Sequence, residues 1–583
     1  MYLRTTKVKR ANGRVDEYIR LVESYWNNGS PRHRVICNLG RKDLLAPHAE
    51  ALLGLLKGEK TGPGEVARAV GAWDWGPLLV ARHLWRELGL EAILDQIGPD
   101  PELADQALAL VANRLTQPTS EHGLARWLET DFVCDRRGRR WLPEWREEGE
   151  RLRSCRPRVR VKDGPLKNQW YGTLDRLIGA KSRIEKELFL KLRTLFHLKV
   201  DLVFYDLTST YFEGHGPESA AHGHSRDGKP RNRQVLVGLV MIEGWPIAHH
   251  VFAGNWRDAS TLEAVLTDLQ QRFGLGRVVF VGDRGMMTSS NLERLRGYQH
   301  GYVVGLNRRR RRDVRRYLER ATGPWLECPG GVVAREQSAP FKTRVQEVDS
   351  DEAGVRVFVV ESQERLAYER TERKKAMQRV GEQLEALRQR VARGKIKTPE
   401  KIGAAAQRIL ARHHGCRYYD WRLQEGRFEY FEHPVYLPQE EALEGKYLIQ
   451  AEGCDLSAVE AVQVYKELSE VERAFRQLKD VIDLRPIYHQ TDRRVEAHLF
   501  VAALAFLLDR ALEKKLKGAG LDLSSKEAWQ ILRTVRVVEI DVGQGKPQQS
   551  VTRGSGRAAR ILKALDLRDL RPGPAHKQTG EAA

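Results

Sequence analysis

The sequence predicts a multidomain α+β protein, and three observations carry that prediction. Its 583 residues exceed what one compact core serves, so three or four domains are expected. Strand-like and helix-like stretches fall in separate blocks along the chain. Between 201 and 306 the pattern runs β-β-β-α-β-α-β, and its first and fourth strands each end on an acid.

Residues 1–45 read as a small β unit. MYLRTTKVKR, EYIRLVESYW and HRVICNLG have strand composition, and the turns ANG and NNGSP separate them. From 46 to 195 the periodicity is helical, through EALLGLLKG, GPLLVARHLWRELGLEAILDQIG, DQALALVANRLT and KSRIEKELFLKLRTLFHL. Inside that region 134–163 is dense in Arg and holds Trp141 and Trp145. It reads equally as a phosphate-tracking linker or a solvated loop.

The block 196–306 opens with Leu202, Val203, Phe204 and Tyr205, an apolar run of a strand buried on both faces, which delivers Asp206. Two strands follow, joined by a short turn at Glu243-Gly244 that predicts a hairpin. A helix over 258–274 leads to Val278, Val279, Phe280 and Val281, which deliver Asp283, and then to a helix over 289–297 and a strand over 302–306. If the first strand pairs with the fourth, the two carboxylates stand side by side. The plainer reading of each Asp is a turn residue after a strand.

Directly afterwards, NRRRRRDVRR (307–316) includes Arg308, Arg309 and Arg310, a block that is either solvated or a nucleic-acid contact. The segment 307–455 is β-rich at both ends, with VRVFVVES, WRLQEGRFEYF and KYLIQAE. In its middle Met377, Val380, Leu384, Leu387 and Val391 form a coiled-coil-like seam, with 400–412 as the partner in an antiparallel hairpin.

Residues 456–483 read as one helix whose buried stripe is Leu468, Val471, Phe475, Leu478 and Ile482. Tyr465, Glu472 and Lys479 recur every seven residues, drifting about 20° per step, and form a second face about 80° from that stripe. Glu472 therefore borders the core, where a helix packed on a sheet directs a carboxylate to strand ends; an ordinary surface Glu is the alternative. Glu496 in RRVEAHLF is a rival acid, but the apolar run Leu499 to Leu508 behind it suggests the start of a core helix. The last block, 521–583, ends in RPGPAHKQTGEAA, a composition that predicts a disordered tail.

Charge narrows the partner class. Lys and Arg number 98 against 78 Asp and Glu, giving +20 and a pI of about 9.6. A polyanionic partner is the first expectation, with a merely basic enzyme as the alternative. With 41% hydrophobic and 30% charged residues the composition is that of a folded, non-membrane protein, and the longest apolar run is too short to span a bilayer. MYLRTTKVKR has no apolar signal core, which predicts a cytoplasmic location. Six cysteines without a CxxC pair fit a reduced compartment and exclude a zinc ribbon. His215, His222 and His224 have no accompanying ligand framework for a closed zinc site.

FYDLTSTYF, GNWRDASTL, VVFVGDRGM, YKELSEVERAFRQLKD and LRPIYHQTDRRVEAHLF together resemble a bacterial insertion-sequence DDE transposase. The closest resemblance is to the IS-four type, whose last acid lies in a Tyr-x2-Arg-x3-Glu-x6-Lys signature. It covers about 200 to 510 and implies an RNase H-like mixed sheet flanked by helices. The core would comprise 196–306 and 456–520, with 307–455 as an insertion domain; the acid separations, 283 − 206 = 77 and 472 − 283 = 189, put the extra length in the second gap. Carried over residue by residue, Asp206, Asp283 and Glu472 match the metal-binding triad, with Asp206 as bridging ligand. Tyr465 and Lys479 match the signature's flanking positions, Lys479 as a phosphate contact. Leu468 stands where the signature has Arg, and Arg473 and Arg476 are the neighbouring cations that would substitute. The implied chemistry is in-line displacement at phosphorus with two Mg²⁺ ions about 3.5–4 Å apart, Mn²⁺ serving as a substitute.

The implied partners are double-stranded DNA, as terminal inverted repeats and as target, and a second copy of the chain. The N-terminal β and helical regions would recognise the ends. Two rivals remain: a metal-dependent nuclease without strand transfer, and a non-enzymatic DNA-binding regulator descended from a transposase.

Overall fold

The computed structural model describes residues 2–9, 15–27, 30–42, 68–98, 100, 102–121, 123–141, 143–145, 152–154, 167–198, 200–283, 288–306, 311–329, 342–480, 482–485, 487–541 and 548–573. The chain opens with an antiparallel sheet of β1 (Tyr2–Lys9), β2 (Val15–Asn27) and β3 (Ser30–Arg41) in that order. Register slips leave Ile36 and Leu39 of β3 without a partner, and extra residues of this kind increase the twist of a ribbon.

After β4 (Arg68–Asp74) come α1 (Gly76–Glu87), α2 (Leu90–Ile97), α3 (Leu103–Thr116) and α4 (Leu124–Thr130). Pro77 sits in the first turn of α1, where a missing N–H has no helical partner to lose. Gly89, at φ 78, separates α1 from α2. The Arg-dense stretch contributes the short pair β5 (Pro143–Trp145) and β6 (Leu152–Ser154). Trp141 is buried, its ring centroid 5.8 Å from that of Trp170 at the start of α5 (Lys167–Phe196). The expected helix EALLGLLKG, the side chain of Trp145 and the tail from 574 onward lie outside the described residues.

The centre of the molecule is a nine-stranded mixed sheet. Its strands are β7 (Leu202–Tyr211), β8 (Gln234–Ile242), β9 (Trp245–Ala253), β10 (Val279–Gly282), β11 (Gly301–Gly305), β12 (Leu326–Cys328), β13 (Thr343–Val348), β14 (Val355–Ser362) and β17 (Lys446–Glu452). The order is β12-β13-β14-β17-β11-β10-β7-β8-β9, with β7, β10 and β11 mutually parallel. The expected hairpin joins β8 to β9 through Glu243 (φ 48) and Gly244 (φ 76), the two positive φ values of a type I′ turn.

The central strands β7, β8, β10 and β11 are covered on both faces, which is why they are largely apolar, whereas β12 and β13 expose Glu327, Arg344 and Glu347. Val203 and Tyr205 of β7 and Phe280 of β10 pack under α6 (Leu262–Gln271) and α7 (Ser289–Gly297), meeting Leu262, Leu266 and Leu295. Phe204, Val281 and Val303 face the opposite way, into a larger core that includes α12 (Ala458–Asp480) and α13 (Asp492–Gly518).

The segment 307–455 does not pack apart from this sheet. After α8 (Arg311–Arg320), strands β12, β13, β14 and β17 extend it, β17 pairing antiparallel with β11. The part between β14 and β17 has a core of its own. There α9 (Gln363–Ala392) and α10 (Pro399–Arg412) bury Val380, Leu384, Leu387, Val391, Ile402, Ala406 and Leu410 against each other and against Phe428. Phe428 belongs to a two-stranded ribbon, β15 (Tyr419–Gln424) with β16 (Arg427–Glu432), followed by α11 (Tyr436–Leu443).

The C-terminal block comprises α14 (Ser525–Leu532), β18 (Arg536–Asp541), β19 (Gln548–Val551) and α15 (Gly556–Ala564). It returns to the N-terminal region, because β18 pairs with both β4 and β19. Among the described residues no helix is long and apolar enough to cross a membrane.

Candidate active site

The site is built on three local facts. Parallel pairing of β7 with β10 sets Tyr205 opposite Gly282, so Asp206 and Asp283 are the next residues on neighbouring strands. Side chains alternate along a strand, so Asp206 shares with Phe204 the face turned towards α12. On α12 the stripe Leu468, Val471, Phe475 and Leu478 is buried, and Glu472 sits at its border. All three acids line one open cavity of about 400 Å³, together with Arg476 and Lys479.

The electrostatics show a site short of positive charge at its centre. Burial, reinforced by the nearby charges of Asp283 and Glu472, pushes the Asp206 carboxyl up to about 7, against a hydrogen bond from Leu207 N and the charge of Arg226. That bond, 2.8 Å to Oδ1, orients the side chain. The donor set is hard oxygen, which Mg²⁺ and Mn²⁺ prefer, and a divalent cation would relieve the mutual repulsion of the acids. The three carboxylates therefore fit such an ion chemically. They are not drawn into a tight cluster: among the described residues the group of three whose ligand atoms lie within 4.8 Å of one another is Glu121, His489 and His498.

That second cluster is a different kind of site. Arg114 donates to Nδ1 of His498 at 3.1 Å, so this nitrogen must be the acceptor, and Nε2 is left to donate to the carbonyl of Leu484 at 3.3 Å. With both ring nitrogens engaged, His498 offers no lone pair to a metal. Glu121 pairs with His489 at 3.5 Å. The cluster fastens α3 and the loop after it to α13.

Lys479 lies in the cavity wall, its Nζ 2.7 Å from Asp227, and Arg485 bonds the same carboxylate oxygen. Arg485 also reaches Asp480 at 3.1 Å. Arg226, Asp227 and Arg485 line the cavity too, although no periodicity or motif spacing marks them in the sequence. Arg226 and Asp227 stand in HGHSRDG, where the histidines draw the eye, and Arg485 stands in LRPIYHQ beyond the end of the helical stripe.

Other sequence candidates fall elsewhere. Arg476 joins the cavity, but Arg473, one residue from Glu472 and so about 100° around the helix, points to Glu470 (2.6 Å) and Glu513 (3.7 Å). Tyr465 packs its hydroxyl end over Gly305 and its ring near Tyr447, two turns before the acids. Leu468, in the position of the signature Arg, is core. Glu496 is half-buried in the second turn of α13, outside the cavity. His215, His222 and His224 are exposed, and among the described residues they form no metal-ligand group. Arg308, Arg309 and Arg310 lie outside the described residues.

Acids delivered together by neighbouring strand ends and a covering helix form the candidate site of this chain. Residues 201–508 match the family model described as the transposase DDE domain, and residues 3–66 match the N-terminal domain of IS1634 family transposases. The first match spans 308 of 583 residues (508 − 201 + 1), more than half, and the chain belongs to the DDE transposases of insertion sequences. No curated protein matches the chain. Among solved structures, one match is the piggyBac transposase synaptic complex with hairpin DNA, at 9% identity and a TM-score of 0.34, covering 79% of this chain and 80% of that one. A likeness at that score does not bear on function.

Proposed function

We propose that Asp206, Asp283 and Glu472 hold two divalent cations, Mg²⁺ or in its place Mn²⁺, with which the transposase cuts DNA at its element's inverted repeats and joins the freed ends to target DNA. The observation that supports this reading is the single cavity on which acids from two adjacent parallel strands and one helix converge. Bound ions would activate the attacking oxygen and stabilise the leaving one. The chain supplies the rest. Asp206 lies between the other two acids in role, as the shared ligand, with its carboxylate aimed by the Leu207 amide. Lys479, held by Asp227, and Arg476 supply positive charge for the DNA strand beside the acids. Tyr465 and Arg473 act at more distance, the first by seating α12 on β11.

In this reading 196–306 and 456–520 form an RNase H-like core interrupted by 307–455. The sheet order β11-β10-β7-β8-β9, with acids on its two central strands, supports it. Residues 1–45 and 46–195 recognise the ends, 521–583 braces them, the Arg block at 308–310 touches phosphate, and two copies synapse two ends. The signature on α12, with Tyr465, Glu472 and Lys479 in step, supports assignment to the IS-four type.

The test is to incubate the protein with an end-containing duplex, a supercoiled target and Mg²⁺. Joined products are expected. Cutting without joining would reduce the reading to a nuclease, and binding without cutting would reduce it to a regulator.

A further inference from the structure

The distal half of the α9–α10 hairpin carries charge that nothing in the fold accounts for. From 389 to 412 there are seven cations, Arg390, Arg393, Lys395, Lys397, Lys401, Arg408 and Arg412, and one acid, Glu400. All seven are exposed, and among the described residues none makes a side-chain hydrogen bond or an ion pair. The proximal half is different. There Arg365 pairs with Glu369, Arg370 and Arg373 with Glu444 and Lys375 with Glu372, so most of its cations are answered locally, with Lys374 and Arg379 as the exceptions.

Geometry sharpens the contrast. On α10, Lys401, Arg408 and Arg412 fall within about 40° of one another, on the side away from the buried Ile402, Ala406 and Leu410. Arg393, Lys395 and Lys397 crowd the turn between the two helices. The hairpin closes on its own core rather than on the large sheet, so its outer surface is open along its length. The 30 residues of α9 span about 45 Å, roughly the reach of one turn and more of a DNA duplex. Unpaired exposed cations repel one another, and a polyanion that neutralises them releases its own counterions.

We propose that this distal half is an arm that grips duplex DNA by its phosphates, without reading sequence. The proposal rests on the reading that the chain works on DNA, and it adds a binding surface far from the three acids in sequence. Exposed Lys and Arg with no base-reading partner supply affinity and salt dependence rather than specificity.

The test compares two variants of the full chain that lose the same charge. One is Lys395→Gln with Lys397→Gln and Lys401→Gln. The other, a control on exposed cations of α15, is Arg557→Gln with Arg560→Gln and Lys563→Gln. Binding to an end-containing duplex and to an unrelated duplex of equal length is measured across a salt series. The arm variant should weaken on both duplexes alike, by about tenfold or more, and its log–log salt slope should fall by about 2 to 3, at roughly 0.9 for each phosphate no longer neutralised. The control should stay within about twofold of wild type, and both variants should keep the wild-type thermal midpoint. An arm variant that binds like the control would overturn the proposal and leave the charge to an acidic protein surface. Loss on the end-containing duplex alone would also overturn it, because phosphate contacts are blind to sequence. Mg²⁺-dependent nicking by the arm variant at saturating DNA separates the two readings: the arm fails by its binding, the active site by its nicking.

Discussion

Two charged clusters, one buried and one in an open cavity, flank the segment that links α12 to α13, and they are built on opposite principles. Around Glu121 each charge is answered. Burial raises its carboxyl, but the hydrogen bond from His489 and the charges of His489 and Arg114 outweigh that and hold it below the usual carboxylate range. His498, buried beside Arg114, is pushed well below its usual value and stays neutral. Around Asp206 the balance is reversed, since burial and two neighbouring acids act in the same direction. An answered cluster fastens the fold. An unanswered one, open to solvent, is where the proposed cations would bind.

The largest effects should fall on the unanswered cluster. Asp206→Asn, Asp283→Asn and Glu472→Gln are each expected to lower Mg²⁺-dependent nicking by about three orders of magnitude, the scale of losing a preorganised electrostatic partner. Binding of end-containing duplex, measured in the same preparations, should hold. Nicking that survives any one of these changes removes that residue from the triad.

The answered cluster should behave in the converse way. Glu121→Ala removes the ion-pair partner of His489 and one of the two acids, with Asp483, whose charge acts on the buried Arg114; breaking a buried pair of this kind costs about 3–5 kcal/mol. The thermal midpoint should drop steeply while the folded fraction nicks at the wild-type rate. A loss of nicking without a loss of stability would break the comparison.

Asp131 sharpens it, because a raised carboxyl alone does not make a site. Burial, with Asp74 nearby, pushes Asp131 up to about 6, yet no cavity or partner acids of the catalytic kind surround it among the described residues. A carboxyl raised in the folded state binds its proton more tightly there than in the unfolded chain. Its penalty is absent below about pH 3.8, grows between there and 6, and is complete above. Asp131→Asn should therefore stabilise the protein by about 1–3 kcal/mol above pH 6. At pH 4 it should do little, and nicking should be unaffected at either pH. Stabilisation that is larger at pH 4 would reverse the sign and refute this role for Asp131.

The smallest effect is expected at Glu496. Half-buried and outside the cavity, it should change stability by about 0.5 kcal/mol or less on replacement by Gln, with nicking intact. If Glu496→Gln folds normally but does not nick, while Glu472→Gln still does, the third acid has been misassigned.

Much of the placement of the three acids was legible in the sequence because it is written locally. An apolar run that stops on Asp marks a strand end, and it does so twice; the parallel register of β7 with β10 then makes Asp206 and Asp283 neighbours. The 3,4 stripe on α12 fixes which side of the helix is buried, and with it the position of Glu472. What was not legible depends on pairings without local periodicity. Asp227 meets Lys479 across 252 residues, and Arg114 meets His498 across 384. Nor does any pattern within KYLIQAE tell that β17 lies beside β11 and so carries the strands of 307–455 into the central sheet. Arg473 and Arg476 look alike in the sequence, and only the rotation of the helix separates the one that lines the cavity from the one that pairs with Glu470.

The central claim is that the three acids hold a divalent cation, and Mn²⁺ binding followed by electron paramagnetic resonance tests it without relying on activity. Wild-type protein with an end-containing duplex should bind Mn²⁺ at close to two ions per chain, and Asp206→Asn should lose that binding while keeping the duplex. Equal Mn²⁺ binding by wild type and Asp206→Asn would contradict the claim.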